Sequence, residues 1–167
     1  MIVYRELFSI ERDLSISAKT LYAVSNNLGK HYHKAKLPKK NGGYPFLDAR
    51  NESDSCKRFT DTPMWNSTLS HKIGPMTKVD RDDPNYVLYS PVEAESFEGL
   101  PPAYIETAEF DCLHDDGILY AKLLEEAGIE VTLNETKGTM HGFDIAEKAP
   151  TTLKAMERRI SYMKRMV

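Results

Sequence analysis

Cysteine is scarce. Cys56 and Cys112 are the only two in 167 residues; they show no metal-ligand spacing, and one bridge would be too little for a secreted disulfide scaffold, so both are read as reduced thiols. Long apolar runs are missing as well. Arg5 and Glu6, then Glu11 to Asp13, interrupt every hydrophobic stretch near the start, which leaves no signal peptide or membrane span and makes the cytoplasm the expected compartment. There is no excess of positive charge, the net charge being -3, and this argues against a dedicated nucleic-acid binder. Gly and Pro, nine of each, are too few for a fibrous or low-complexity chain, and no internal repeat is found. What is there, 41% hydrophobic and 28% charged residues, is the composition of an ordinary soluble globular protein, long enough for one compact domain with a real core.

From about residue 86 onward the local signals agree with one another. "PPAYIETAEFD" (101–111) is a run of β-formers bounded by a double proline, as a buried strand requires. "HDDGILYAKLLEEAG" (114–128) places Ile118, Ala121, Leu124 and Ala127 on one helical stripe, widened by Leu119 and Leu123, with acids at the start and Gly128 at the stop. "IEVTLNET" (129–136) alternates Ile129, Val131 and Leu133 with polar residues, the period of a strand with one face buried. After a turn at Gly138 to Phe143, a helix begins at Pro150 with Leu153, Met156, Ile160 and Met163 along its apolar side and Lys164 and Arg165 in its last turn. Strands alternating with amphipathic helices predict an α/β fold with a mostly parallel sheet, whose ligands bind beyond the carboxyl ends of the strands.

The rest is less regular. Residues 52–90 have little periodicity, which predicts short helices and loops projecting from the sheet; Met64 and Trp65 there either pack in the core or, as the resemblance described below implies, line an acyl pocket. "YPFLDAR" (44–50) looks like the end of another strand. Earlier, Leu14, Ala18, Leu21, Val24 or Ser25, and Leu28 share a helical stripe that Gly29 could end. His31 and His33 could lie on one side of a strand and bind a metal, but no Cys, Asp or Glu stands nearby in sequence, and a solvated basic loop is the expected state. Cys56, in "SDSCKRF", has neither a sharp strand-to-helix turn nor a local base to make it a nucleophile. No metal and no cofactor is expected.

Two residues stand where such a sheet does its chemistry. Asp111 follows the first strand, and His141 follows the second, 30 positions later. A carboxylate there can accept a hydrogen bond from the imidazole, fix its tautomer and stabilise the imidazolium that forms when the ring takes a proton. On spacing alone, an Asp before a helix is more often a cap and a histidine in a glycine-flanked turn more often a surface residue.

The segment "LPPAYIETAEFDCLHDDGILYAKLLEEAGIEVTLNETKGTMHGFD", together with Ser90-Pro91, "YPFLDAR" and "FTDTPMWN", resembles the closing part of the hormone-sensitive-lipase-like branch of α/β-hydrolases, which includes bacterial acetyl esterases. The resemblance covers residues 44–167 and is poor over residues 1–43. It implies a partial α/β-hydrolase fold: a mostly parallel sheet, flanking helices and a small helical insertion, in a single partial domain over 1–167 whose residues 1–43 are a divergent remnant. It further implies hydrolysis of a small-molecule carboxylic ester by serine-type acyl transfer, with Asp111 as triad acid and His141 as base. Cys112 stands where the family usually has proline, and Asp115, Asp116 and Gly117 match the family's helix start, with Asp115 read as a cap.

Two motifs of that family are absent. There is no G-x-S-x-G, in which glycines let a strand turn sharply and lift the serine hydroxyl above the sheet. Family spacing points to Ser17-Ala18, but Ser15 and Lys19 occupy the glycine positions; Ser17 is the expected nucleophile of an active enzyme and otherwise an ordinary helix N-cap. There is also no HGGG-type loop for the oxyanion hole, Gly42-Gly43 being the only glycine pair. The early strands have no counterpart either, which suggests a C-terminal portion of a hydrolase, whether by truncation, a shifted reading frame or descent to another role. The alternative expectation is therefore a catalytically inactive, hydrolase-derived fragment, structural or dependent on a second copy or a partner that supplies the missing strands.

Overall fold

A computed structural model describes residues 46–73, 80–83 and 86–165. In chain order the elements are α1 (Asp54–Arg58), α2 (Ser67–Ile73), α3 (Tyr86–Tyr89), β1 (Ala103–Phe110), α4 (His114–Glu126), β2 (Val131–Met140) and α5 (Pro150–Arg165), with 3-10 turns at Pro91–Glu93 and Phe143–Ile145. The expected strand, helix, strand, helix order is present, preceded by short helices in the middle stretch.

β1 and β2 pair in parallel, which the α4 crossover makes necessary, since adjacent parallel strands cannot be joined by a tight turn. Every residue of β1 from Ala103 to Ala108 is buried, because helices cover both faces. On one face Ile105 and Thr107 meet α4, so closely that a Cβ on Gly117 would stand 2.5 Å from the Thr107 methyl. On the other face the Tyr104 ring lies 5.2 Å from that of Tyr162 on α5. The α4 side holds the core cluster of Leu47, Val92, Ala103, Ile105, Tyr120, Ala121 and Leu124, with Ile129, Val131 and Leu133 packed against it. A fully buried Leu such as Leu124 contributes roughly 1.5–3 kcal/mol.

Three sequence expectations shift. The buried face of α4 comprises Asp116, Gly117, Tyr120, Ala121 and Leu124; Leu119 and Ala127 are exposed, because Gly117 at the contact lets the helix sit on its 117–121–124 side. On α5, Leu153 is likewise exposed, and Thr152, Ala155, Met156, Ile160, Tyr162 and Met163 face inward. The described part of "YPFLDAR" is not a strand: the Leu47 carbonyl accepts from Val92 N (3.1 Å), Ala49 N donates to Ser90 Oγ (3.0 Å), and Arg50 N donates to Asp48 Oδ1 (3.0 Å). These bonds satisfy the backbone without a ladder.

β2 runs four residues beyond the expected end, and the extension carries an irregularity. Residues 103 to 108 pair with 131 to 136, a constant offset of 28, whereas Phe110 pairs with Met140, an offset of 30. Two extra residues are thus taken up in β2 across Lys137–Thr139, where Gly138 adopts φ +69° and its N–H donates to Glu109 Oε2 at 2.7 Å. Such bulges re-aim a strand end, and a left-handed residue within one is most easily a glycine.

Candidate active site

The offset of 30 is also the separation of Asp111 and His141, each of which directly follows its strand. The bulge therefore brings the two side chains level at the carboxyl ends of the strands. His141 Nδ1 lies 2.8 Å from Asp111 Oδ2, within the range of a charge-assisted hydrogen bond. The Asp111 side chain is 2% exposed and that of His141 21%, so the carboxylate is shielded while the ring can be reached. With Asp111 as acceptor, Nδ1 carries the proton and Nε2 keeps the basic lone pair.

Asp111 has a second task. Its Oδ1 accepts from Leu113 N at 3.0 Å, so the same carboxylate closes the turn that leads into α4 and meets the imidazole. It is not the helix cap set out above as the alternative, since the N-cap position is Leu113. Cys112, next in sequence, is fully buried; burial and then the Asp111 charge push its thiol well above the ordinary range. Burial likewise raises Cys56, to about 11, which makes it a poor thiolate source. Both cysteines are free.

Asp115 does not cap its own helix, which opens at Leu113 without a side-chain cap. It reaches back 60 residues to α1: Ser55 N donates to Asp115 Oδ2 (2.7 Å), Asp115 N donates to Ser55 Oγ (3.1 Å), and Ser55 Oγ donates to the Cys112 carbonyl (2.9 Å). Burial opposes the Asp115 charge, but the bonds from His114 and from Ser55 outweigh it and hold the carboxyl below its usual range. Asp116 is the opposite case. It is buried, its Oδ1 has no hydrogen-bond partner among the described residues, and burial pushes its carboxyl up to about 7, with Asp48, Asp115 and Asp111 adding to the rise.

The middle stretch forms a wall beside His141. The Trp65 ring lies 5.9 Å from the imidazole, tilted by 32°. Met64 adopts φ +70°, a left-handed conformation that costs a non-glycine residue about 1–2 kcal/mol, and its side chain lies over Gly142: a Cβ there would stand 3.4 Å from Met64 Cε and 3.9 Å from Ile145 Cδ1. Met64 is 56% and Ile145 69% exposed. Of the two alternatives for Met64, core packing is excluded. Ile145 was not singled out from sequence, although a bare isoleucine two residues after "HGF" was a readable sign.

Ser17, His31 and His33 lie outside the described residues, as does the expected helix over 14–28. Among the described residues no group of three His, Cys, Asp or Glu side chains could hold a metal ion, and no helix is long and apolar enough to cross a membrane.

A family model for the alpha/beta hydrolase fold matches residues 33–145. The chain belongs to this family, in its hormone-sensitive-lipase-like branch of esterases and lipases. It is similar to neutral cholesterol ester hydrolase 1 of Mus musculus, 47% identical over 73 residues that make up 43% of this chain and 18% of that protein. It is similar also to the carboxylesterase NlhH of Mycobacterium tuberculosis, 44% identical over 68 residues, 40% of this chain and 21% of that one. Among solved structures, a bacterial heroin esterase superposes with a TM-score of 0.65 at 32% identity, covering 73% of this chain and 40% of that one. A thermostable esterase from Pseudomonas putida gives 0.63 at 32%, covering 69% and 38%. The match thus spans about a fifth of the curated relatives' length and two fifths of the structural ones.

Proposed function

We propose that this chain carries the acid and base of a serine-type carboxylic ester hydrolase acting on small-molecule esters. The observation that supports this most is the 2.8 Å contact of a buried Asp111 oxygen with Nδ1 of a reachable His141. His141 Nε2 takes the proton of the attacking hydroxyl and returns it to the leaving alcohol; Asp111 holds the tautomer and stabilises the imidazolium between the two steps. Ser17 is the proposed nucleophile, attacking the ester carbonyl to give an acyl-enzyme that water then hydrolyses. Met64, Trp65 and Ile145 offer the apolar surface against which an acyl or alkoxy group would lie, and no step needs a metal.

A second reading, a hydrolase-derived chain without catalysis of its own, is favoured by the lack of G-x-S-x-G and of an HGGG-type loop in the sequence. In that case a second copy or another partner supplies the rest of the sheet. Hydrolysis of p-nitrophenyl acetate by the purified chain, beside His141→Ala and Ser17→Ala prepared identically, separates the two. Loss of turnover in both variants supports the triad. Turnover equal to the His141→Ala control supports the inactive reading.

A further inference from the structure

A largely buried arginine stands behind the turn that follows His141. Arg159 of α5 forks onto Glu106 of β1, with Nε to Oε2 and Nη2 to Oε1 both at 3.0 Å, and its Nη1 reaches Asp144 Oδ2 at 2.9 Å. The Glu106 and Arg159 side chains are 2% and 12% exposed. Glu106 accepts also from the Tyr104 hydroxyl at 2.8 Å and from Thr136 Oγ1 at 3.5 Å. Burial works against the guanidinium charge, but Glu106 and then Asp144 outweigh it, and Arg159 is held above its ordinary range.

A buried ion pair of this kind is a poor stability device, because desolvation offsets much of its Coulombic gain. What it provides is geometry. Glu106 and Arg159 alone would neutralise each other; the third contact goes to Asp144, within the 3-10 turn Phe143–Ile145 and three residues after His141. His141 needs such a tether. Upstream of it the bulge at Lys137–Thr139 and the pairing of Met140 with Phe110 set its register, but downstream Gly142 at φ +73° does not by itself fix the direction of the turn. On the far side, Thr152 Oγ1 donates to the Phe143 carbonyl at 3.3 Å, so α5 grips the turn at two points.

We propose that Arg159 is a positioning residue for His141: through Asp144 it fixes the turn and so keeps the imidazole aligned with Asp111. This rests on the reading of His141 as the base. Arg159 touches no reacting atom, and its role would be invisible in a list of triad residues.

The test is NMR of the full chain, following the proton on His141 Nδ1, which is identified by its loss in His141→Ala. Asp144→Ala removes the arm to the turn and leaves the Glu106–Arg159 fork in place; Asp144→Asn, which preserves shape, is read in the same way should the alanine variant not fold. The expected result is exchange of the Nδ1 proton with water about tenfold faster or more, the effect of losing one charge-assisted hydrogen bond, with the backbone amides of β1 and α4 unmoved. Arg159→Lys, which keeps charge but cannot fork, should give an intermediate rate. Wild-type exchange in the Asp144 variants overturns the proposal while leaving the Asp111–His141 pair standing. Absence of the resonance in the wild type overturns the pair itself, and the positioning role with it.

Discussion

Replacing Asp116 by asparagine should make the protein more stable, and more so as pH rises. The carboxyl is buried with one oxygen unpartnered, and burial raises its pKa from 3.8 to about 7. Between those values the native state holds a proton that the unfolded chain has released. Stability contributed by this group is therefore full below pH 3.8, falls as pH rises, and is lost once pH exceeds about 7. A rise of about 3 units at 1.36 kcal/mol each gives roughly 4 kcal/mol as an upper figure; water penetration and relaxation on ionisation reduce it to about 2–4 kcal/mol. Asparagine mimics the protonated acid and cannot ionise. Urea unfolding of both proteins at intervals from pH 4 to pH 8 should show the difference in unfolding free energy rising in favour of Asp116→Asn and levelling off above pH 7. Taking the difference removes the groups that do not interact with residue 116; Asp48, Asp111 and Asp115, whose charges raise Asp116, stay within it. A difference that does not change with pH would refute the reasoning.

Asp111→Asn should lower ester turnover by on the order of 10⁴ if the triad operates, because an amide NH₂ at Oδ2 forces the wrong imidazole tautomer, while the bond from Leu113 N survives and far-UV circular dichroism stays unchanged; unaltered p-nitrophenyl acetate hydrolysis would contradict it. Gly117→Ala places a methyl 2.5 Å from Thr107. Overpacking of about 1–3 kcal/mol set against a helix-propensity gain of up to about 1 kcal/mol should lower the urea midpoint, and a higher midpoint would show that α4 can move away freely. Deleting Lys137 and Gly138 together removes the bulge along with the two residues it absorbs, so Phe110 still meets Met140 at the offset of 28 and His141 stays level with Asp111; the chain should fold and keep the His141 Nδ1 proton resonance, and loss of the resonance would mean that the bulge also aims the ring.

The elements from β1 onward were legible because breakers and periodicity agreed: Pro101-Pro102 before the strand, acids and Gly128 around α4, Pro150 before α5. Asp111 and His141 were legible as residues following strands in the right order, and the structure brings them into contact. What brings them level was not, because a two-residue bulge at Lys137–Thr139 leaves no trace in a β pattern except one glycine, which reads as a turn. The true buried face of α4 was hidden for a similar reason: Gly117 acts there through having no side chain, and Asp116 counts as polar although it is buried. Arg159 was not singled out from sequence, since only the fold brings Glu106, 53 residues earlier, onto it. Asp115 looked like a cap for the helix it belongs to, and no local signal could reveal that its partner is Ser55.

That last contact governs how a ligand would reach His141. Ser55 and Asp115 are bonded to each other through both backbone N–H groups, so α1 is fastened to the turn that bears Asp111, and the chain leading from α1 carries Met64 and Trp65 to the imidazole. A wall held at its root in this way cannot swing aside as a door does without first breaking two bonds at the turn of Asp111. Access to the ring would come from rearrangement of the exposed tips, Met64 and Ile145, and an enlarged ligand would be accommodated there or not at all.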